Sequence, residues 1–143
     1  MKLHQKHKKI LTRLRKNSRE SFAQMSRVTR IPVSTVFDYH KKLQKNYIQK
    51  YSSLIDFKQI GFGIRVMLYV KAQDKEALQE YLMAHPHVNN LMSMEKLDFC
   101  FDVLFRTLKD YYDFLETLEP FRIEKLEEHD LIEELKLEGV TEL

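Results

Sequence analysis

The sequence predicts an α+β chain: a winged helix-turn-helix with its wing and hinge over residues 1–60, then a ferredoxin-like β-α-β-β-α-β domain over residues 61–143. Three observations carry this prediction. Apolar residues in the first fifty recur at helical spacing. After Gly61-Phe62-Gly63, which holds two of the chain's three glycines, the apolar period changes to two. The second part then runs strand, helix, strand twice over. Charge divides at nearly the same place. Residues 1–50 hold fourteen Lys/Arg against two acids, a net +12, whereas residues 51–143 hold ten against nineteen, a net −9.

Each element has its own signal. Leu3, His7, Ile10, Leu11 and Leu14 lie on one face of a first helix from His4 to Lys16, stopped by Asn17. Ser18 or Ser21 suits the N-cap of a short second helix, Phe22–Val28. A turn at Thr29-Arg30-Ile31-Pro32 leads to a third helix, with Ser34 as cap and an inward stripe of Val36, Tyr39/His40 and Leu43. Asn46 is expected just past its end, where Asn tolerates a left-handed backbone. Tyr47–Asp56 alternates loosely and reads as a two-stranded wing. Beyond the glycines, Ile64, Val66, Leu68 and Val70 mark a strand, Asp74 caps a helix ended by His85-Pro86, and Val88–Met94 is a second strand. Phe99, Phe101, Val103 and Phe105 make a third strand. Tyr111, Phe114, Leu115 and Leu118 belong to a helix closed by Pro120, and a last extended segment begins near Ile123. Residues 124–138 favour helix by propensity, but the half-repeat requires a strand there.

Composition excludes several classes. No run approaches the roughly 18 apolar residues that span a bilayer, so a cytoplasmic, non-membrane chain is expected. The single cysteine, Cys100, lies in Phe99-Cys100-Phe101 and reads as a small buried hydrophobe. The histidines at 4, 7, 40, 85, 87 and 129 are scattered; His85 and His87 lack a third ligand nearby, and His40 reads as a core residue. No nucleophile–base order, phosphate loop or cysteine pair appears. No enzyme, cofactor or metal is expected.

The basic half points to a polyanion, double-stranded DNA. The second helix of a helix-turn-helix enters the major groove, and here its exposed face carries Val33, Ser34, Thr35, Phe37, Asp38 and Lys41. Phe37 suits a thymine methyl or a second layer of core; Asp38 suits a cytosine amino group or an ion pair with Lys41 or Lys42. Arg27, Arg30, Lys41, Lys42, Lys45 and Lys50 are the expected phosphate contacts. Lys2, Lys6, Lys8, Lys9, Arg13, Arg15 and Lys16 either extend that contact or form a loose basic end. In the second part, the strand face bearing Met67, Tyr69, Cys100 and Leu104 beside Arg65, Lys71, Asp102 and Arg106 suits a subunit interface.

In this order and spacing the chain resembles the leucine-responsive (Lrp/AsnC) family. Three segments carry the resemblance: Pro32–Gln44, which looks like the recognition helix; Tyr47–Gly61, like the wing and hinge; and Ile123–Lys136, like the last strand. The resemblance implies a sequence-specific transcription regulator acting as a homo-oligomer, a dimer or as large as an octamer. An alternative is a DNA-packing protein of low sequence preference. A small-molecule effector is implied at the turn Glu95-Lys96-Leu97-Asp98. That turn lacks the family's glycine, which argues against an ordinary amino-acid effector.

Overall fold

The structure is a computed structural model and describes residues 3–139. The chain forms two compact units: one comprises the residues up to Leu54 together with the segment from Leu135, and the other is Ile55–Glu134.

The first unit packs three helices, α1 (Gln5–Lys16), α2 (Phe22–Thr29) and α3 (Val33–Asn46). Its core is Ile10, Leu14, Met25, Ile31, Val36 and Leu43, which are the periodic apolar positions of the sequence. Two side-chain caps satisfy helix starts: His4 accepts from the Lys6 N–H and Ser21 from the Gln24 N–H. Arg13 grips Glu20 with two bonds, Nε to Oε2 at 2.9 Å and Nη2 to Oε1 at 2.5 Å, tying the end of α1 to the lead-in of α2.

Four local expectations fail here. Pro32, not Ser34, is the N-cap of α3, with no side-chain bond; the fixed φ of proline suits that entry. Asn46 is the last residue of the helix, and its amide donates to the Lys42 carbonyl instead of turning left-handed. The expected pair of wing strands does not form, since residues 48–56 carry no ladder. A lone hairpin is marginal, and Lys50-Tyr51-Ser52-Ser53 offers no residue suited to a tight positive-φ turn. Ile48 instead packs on the helical core, and the Tyr51 hydroxyl lies 3.0 Å from His40 Nε2. The segment from Leu135 belongs to this unit, through bonds from Arg15 to the Glu138 carboxylate and the Gly139 carbonyl, both 2.7 Å.

The second unit is a four-stranded antiparallel sheet of order β2-β3-β1-β4: β1 (Ile64–Ala72), β2 (Val88–Ser93), β3 (Phe99–Phe105) and β4 (Ile123–Asp130). Helices α4 (Lys75–Ala84) and α5 (Leu108–Glu116) cover one face, over a core of Val66, Leu68, Val70, Leu78, Leu82, Phe99, Phe101, Val103, Phe105, Tyr111, Phe114 and Leu118. The ambiguous last segment is a strand to Asp130 and not beyond. It pairs along β1 from Val66↔Asp130 to Ala72↔Ile123. Tertiary pairing overrides a helical propensity worth only tenths of a kcal/mol per residue. Asp74 stands at the α4 N-cap without capping it, because Arg122 holds its carboxylate. The unit begins at Ile55, ahead of the expected boundary between residues 60 and 61. Phe57 packs edge-on against Phe62, Arg106 lies 4.5 Å over the Phe62 ring, and Arg106 donates to the Ile60 carbonyl at 3.0 Å. Arg106 is thereby drawn away from the exposed sheet face where the alternation placed it.

Candidate nucleic-acid interface

The helix-turn-helix is α2, the turn Arg30-Ile31-Pro32 and α3. Ile31 is buried and anchors the turn, while Arg30 takes a left-handed backbone, φ 58° and ψ 34°. Val36 and Leu43 fix which side of α3 faces the core, leaving Tyr39 and His40 half-buried at its edges. His40 is held by the Phe22 ring, 5.0 Å between centroids, and by Tyr51. His7 packs 4.2 Å from the Tyr39 ring; burial, then the nearby His4 and Lys42, push its pKa below the ordinary value.

The opposite side of α3 presents the residues singled out in the sequence. Val33, Ser34, Phe37, Asp38 and Lys41 are exposed together, whereas Thr35 is half-buried and lies on the other flank, with Lys42. Phe37 combines both roles considered for it. The residue is 51% exposed, yet its ring packs edge-on against Phe22 at 5.8 Å. Asp38 takes no part in the ion pairs found among the described residues, so the pairing with Lys41 or Lys42 does not form.

Arg27, Arg30, Lys41, Lys42, Lys45 and Lys50 are all exposed. Lys42 also lies 5.9 Å over the Tyr39 ring, and Arg27 bonds Gln24 at 2.6 Å. The α1 cations separate into two sets. Arg13 and Arg15 are engaged with Glu20 and Glu138, while Lys6, Lys8, Lys9 and Lys16 are not among the ion-paired residues of the described chain. Lys2 lies outside the described residues. The engagement of Arg13 was missed in the sequence, although a lone acid, Glu20, in a run of cations is the signal that marks it.

The turn singled out for an effector is arranged differently from its sequence reading. Glu95 and Lys96 are exposed, but Asp98 is taken up by the fold. Its Oδ2 accepts from the Ala72 N–H at 2.8 Å, where β1 and β4 slip register, and its Oδ1 lies 3.6 Å from Lys75 Nζ. The sheet face away from the helices carries the rows Met92–Cys100–Tyr69–Glu127 and Asn90–Asp102–Met67–His129. Met92 is 49% exposed, whereas Asp102 is fully buried. Its carboxylate accepts from Arg65 Nε at 2.7 Å, Asn89 Nδ2 at 3.2 Å, and the Asn90 backbone and side-chain amides at 3.0 and 2.8 Å. Among the described residues, no group of three His, Cys, Asp or Glu comes together as a metal site.

An N-terminal helix-turn-helix joined to a ferredoxin-like sheet defines a two-part architecture, and comparison with known proteins agrees with both parts. Residues 3–46 match the family described as winged helix-turn-helix DNA-binding. The chain is 30% identical over 70 residues to an uncharacterized HTH-type transcriptional regulator of Pyrococcus abyssi; this stretch is 48% of either chain, so the match spans about half of that relative. Among solved structures, it superposes on transcriptional regulator NMB0573 of Neisseria meningitidis, determined in complex with L-Met, with a TM-score of 0.87 at 18% identity over 99% of this chain and 96% of that one. On LrpC of Bacillus subtilis the TM-score is 0.84 at 20% identity, over 95% and 99%. The chain therefore has the Lrp/AsnC fold over nearly its whole length. No helix among the described residues is long and apolar enough to cross a membrane.

Proposed function

We propose that this protein is a sequence-specific, DNA-binding transcription regulator, without enzymatic activity, that acts as a dimer or higher oligomer through its ferredoxin-like unit. One observation carries the reading: a helix-turn-helix presents α3 with Ser34, Phe37, Asp38 and Lys41 exposed, and Arg27 on α2, Arg30 in the turn, Lys42 and Lys45 on α3 and Lys50 just past it are exposed as well. Such a helix fits the major groove, and the surrounding cations match the phosphates on either side. Assembly is supported by the half-apolar sheet face around Met67, Tyr69 and Met92, and pairing supplies the two half-site readers that a small helix-turn-helix needs. A free amino acid is not assigned as effector, because Asp98 is already satisfied by Ala72 and Lys75 and a carboxylate at Glu95 repels an α-carboxylate.

Each neutralised phosphate contributes roughly −0.9 to the slope of log affinity against log salt. Lys42→Ala is expected to weaken binding to all duplexes and to flatten that slope by about one unit. Fluorescence anisotropy across a salt series measures both. Relaxed base preference at unchanged slope would remove Lys42 from the backbone contacts. Footprinting on genomic DNA is expected to show discrete half-sites; uniform coverage would favour DNA packing instead.

A further inference from the structure

We propose that α3 selects its site by the 5-methyl groups of thymine, read by the exposed apolar pair Val33 and Phe37. This deepens the DNA-binding reading above and rests on it. Val33 and Phe37 are one helical turn apart on the same flank of α3, and they are 49% and 51% exposed. The edge-on Phe22 ring braces Phe37 without covering it. Large apolar side chains at the entering end of a groove-reading helix lose water only when they meet another apolar group. In the major groove the one apolar group on a base edge is the thymine methyl.

The polar complement points the same way. The first two exposed turns of α3 carry Val33, Ser34, Phe37 and Asp38, with no Arg, Lys, Asn or Gln among them. Arg or Lys reads guanine through O6 and N7, and Asn or Gln reads adenine through N6 and N7. Neither mode is offered at this end of the helix. Asp38 repels phosphate and accepts only from a base amino group, which keeps this end off the backbone. Lys41 and Lys45 lie further along, and with Arg27 and Arg30 they provide the positive surround that holds an anionic duplex against this apolar flank. The occupant is therefore duplex DNA, with thymine methyls seated on Val33 and Phe37.

The test uses the full chain and a duplex enriched by it from a random pool. Deoxyuridine replaces thymidine one position at a time, which removes the methyl and leaves the base pair intact. Binding is expected to weaken about four-fold at each methyl that is read, the value of one buried methyl-sized group. In Phe37→Ala and in Val33→Ser, which removes both methyls of the side chain, one such position each is expected to lose its thymine–uracil difference while the salt slope stays unchanged. The Val33 variant guards against loss of folding, since its side chain is half in water. Salt-dependent binding with uracil equal to thymine at every position would overturn methyl reading and leave DNA binding standing. Failure to bind any duplex at low salt would overturn the DNA-binding reading itself, and this inference with it.

Discussion

Arg30 shows how one residue serves two demands. The turn of the helix-turn-helix needs a left-handed backbone at the end of α2, and the chain places there a residue for which that conformation costs about 1 kcal/mol. A charged side chain beside the reading helix is the compensating use. Arg30→Asn, which tolerates the same φ, is expected to raise stability by up to about 1 kcal/mol. It is also expected to lower duplex affinity and flatten the salt slope by roughly 0.9. Urea unfolding and salt-series anisotropy read the two effects separately; a loss of both stability and affinity would show that Arg30 holds the turn by its side chain. At this scale the sequence was readable where a residue acts on near neighbours, as with Ser21 capping α2. It misled where the partner is remote. Asp98 spends its carboxylate on Ala72, and Asp102 is buried by Asn89 and Asn90 across a bulge, pairings that no local pattern announces.

At the scale of elements, periodicity located all three helices of the first unit and the first three strands of the second. The last strand was found only because the half-repeat demanded it against propensity. The wing failed because alternation alone cannot supply a turn. Helix ends carry a pH signature of their own. At the close of α4, His85 Nδ1 accepts from the His87 N–H at 3.2 Å, so the ring must be neutral there. Burial, then the neighbouring His87, lowers the His85 pKa, and His7 on α1 is lowered too. Both groups bind a proton more readily unfolded, so their contribution is complete above about 6.5 and is lost as pH falls below it. A second loss follows at lower pH. Hydrogen bonds from Arg13 and Arg122 hold Glu20 and Asp74 below the usual carboxylate range, and their contribution vanishes as those groups protonate. Denaturant midpoints are expected to fall in two stages on acidification. Replacing His85 by Gln is expected to shrink the first stage and leave the second; an unchanged first stage would clear His85 of the effect.

Across the whole chain, the segregation of +12 and −9 separates the surface that attracts a polyanion from the surface that repels one. The apolar patch lies on the acidic part, so the property that draws the chain to DNA and the property proposed to draw copies together do not compete for the same residues. Light scattering on the full chain is expected to give a dimer or larger species. Tyr69→Lys, which sets a cation in the middle of the Met92–Cys100–Tyr69–Glu127 row, is expected to lower the mass toward a monomer without moving the salt slope per bound chain. A wild-type monomer at micromolar concentration would remove this face as the interface.

The single cysteine stands in that same row. Cys100 is 6% exposed, its Sγ lies 3.4 Å from the Met67 sulfur, and burial pushes its thiol pKa up. It is therefore a native reporter group: the rate at which it is alkylated, being that of a thiol both shielded and largely protonated, is a clock for how often this face of the sheet opens to solvent, readable without introducing any label elsewhere in the chain.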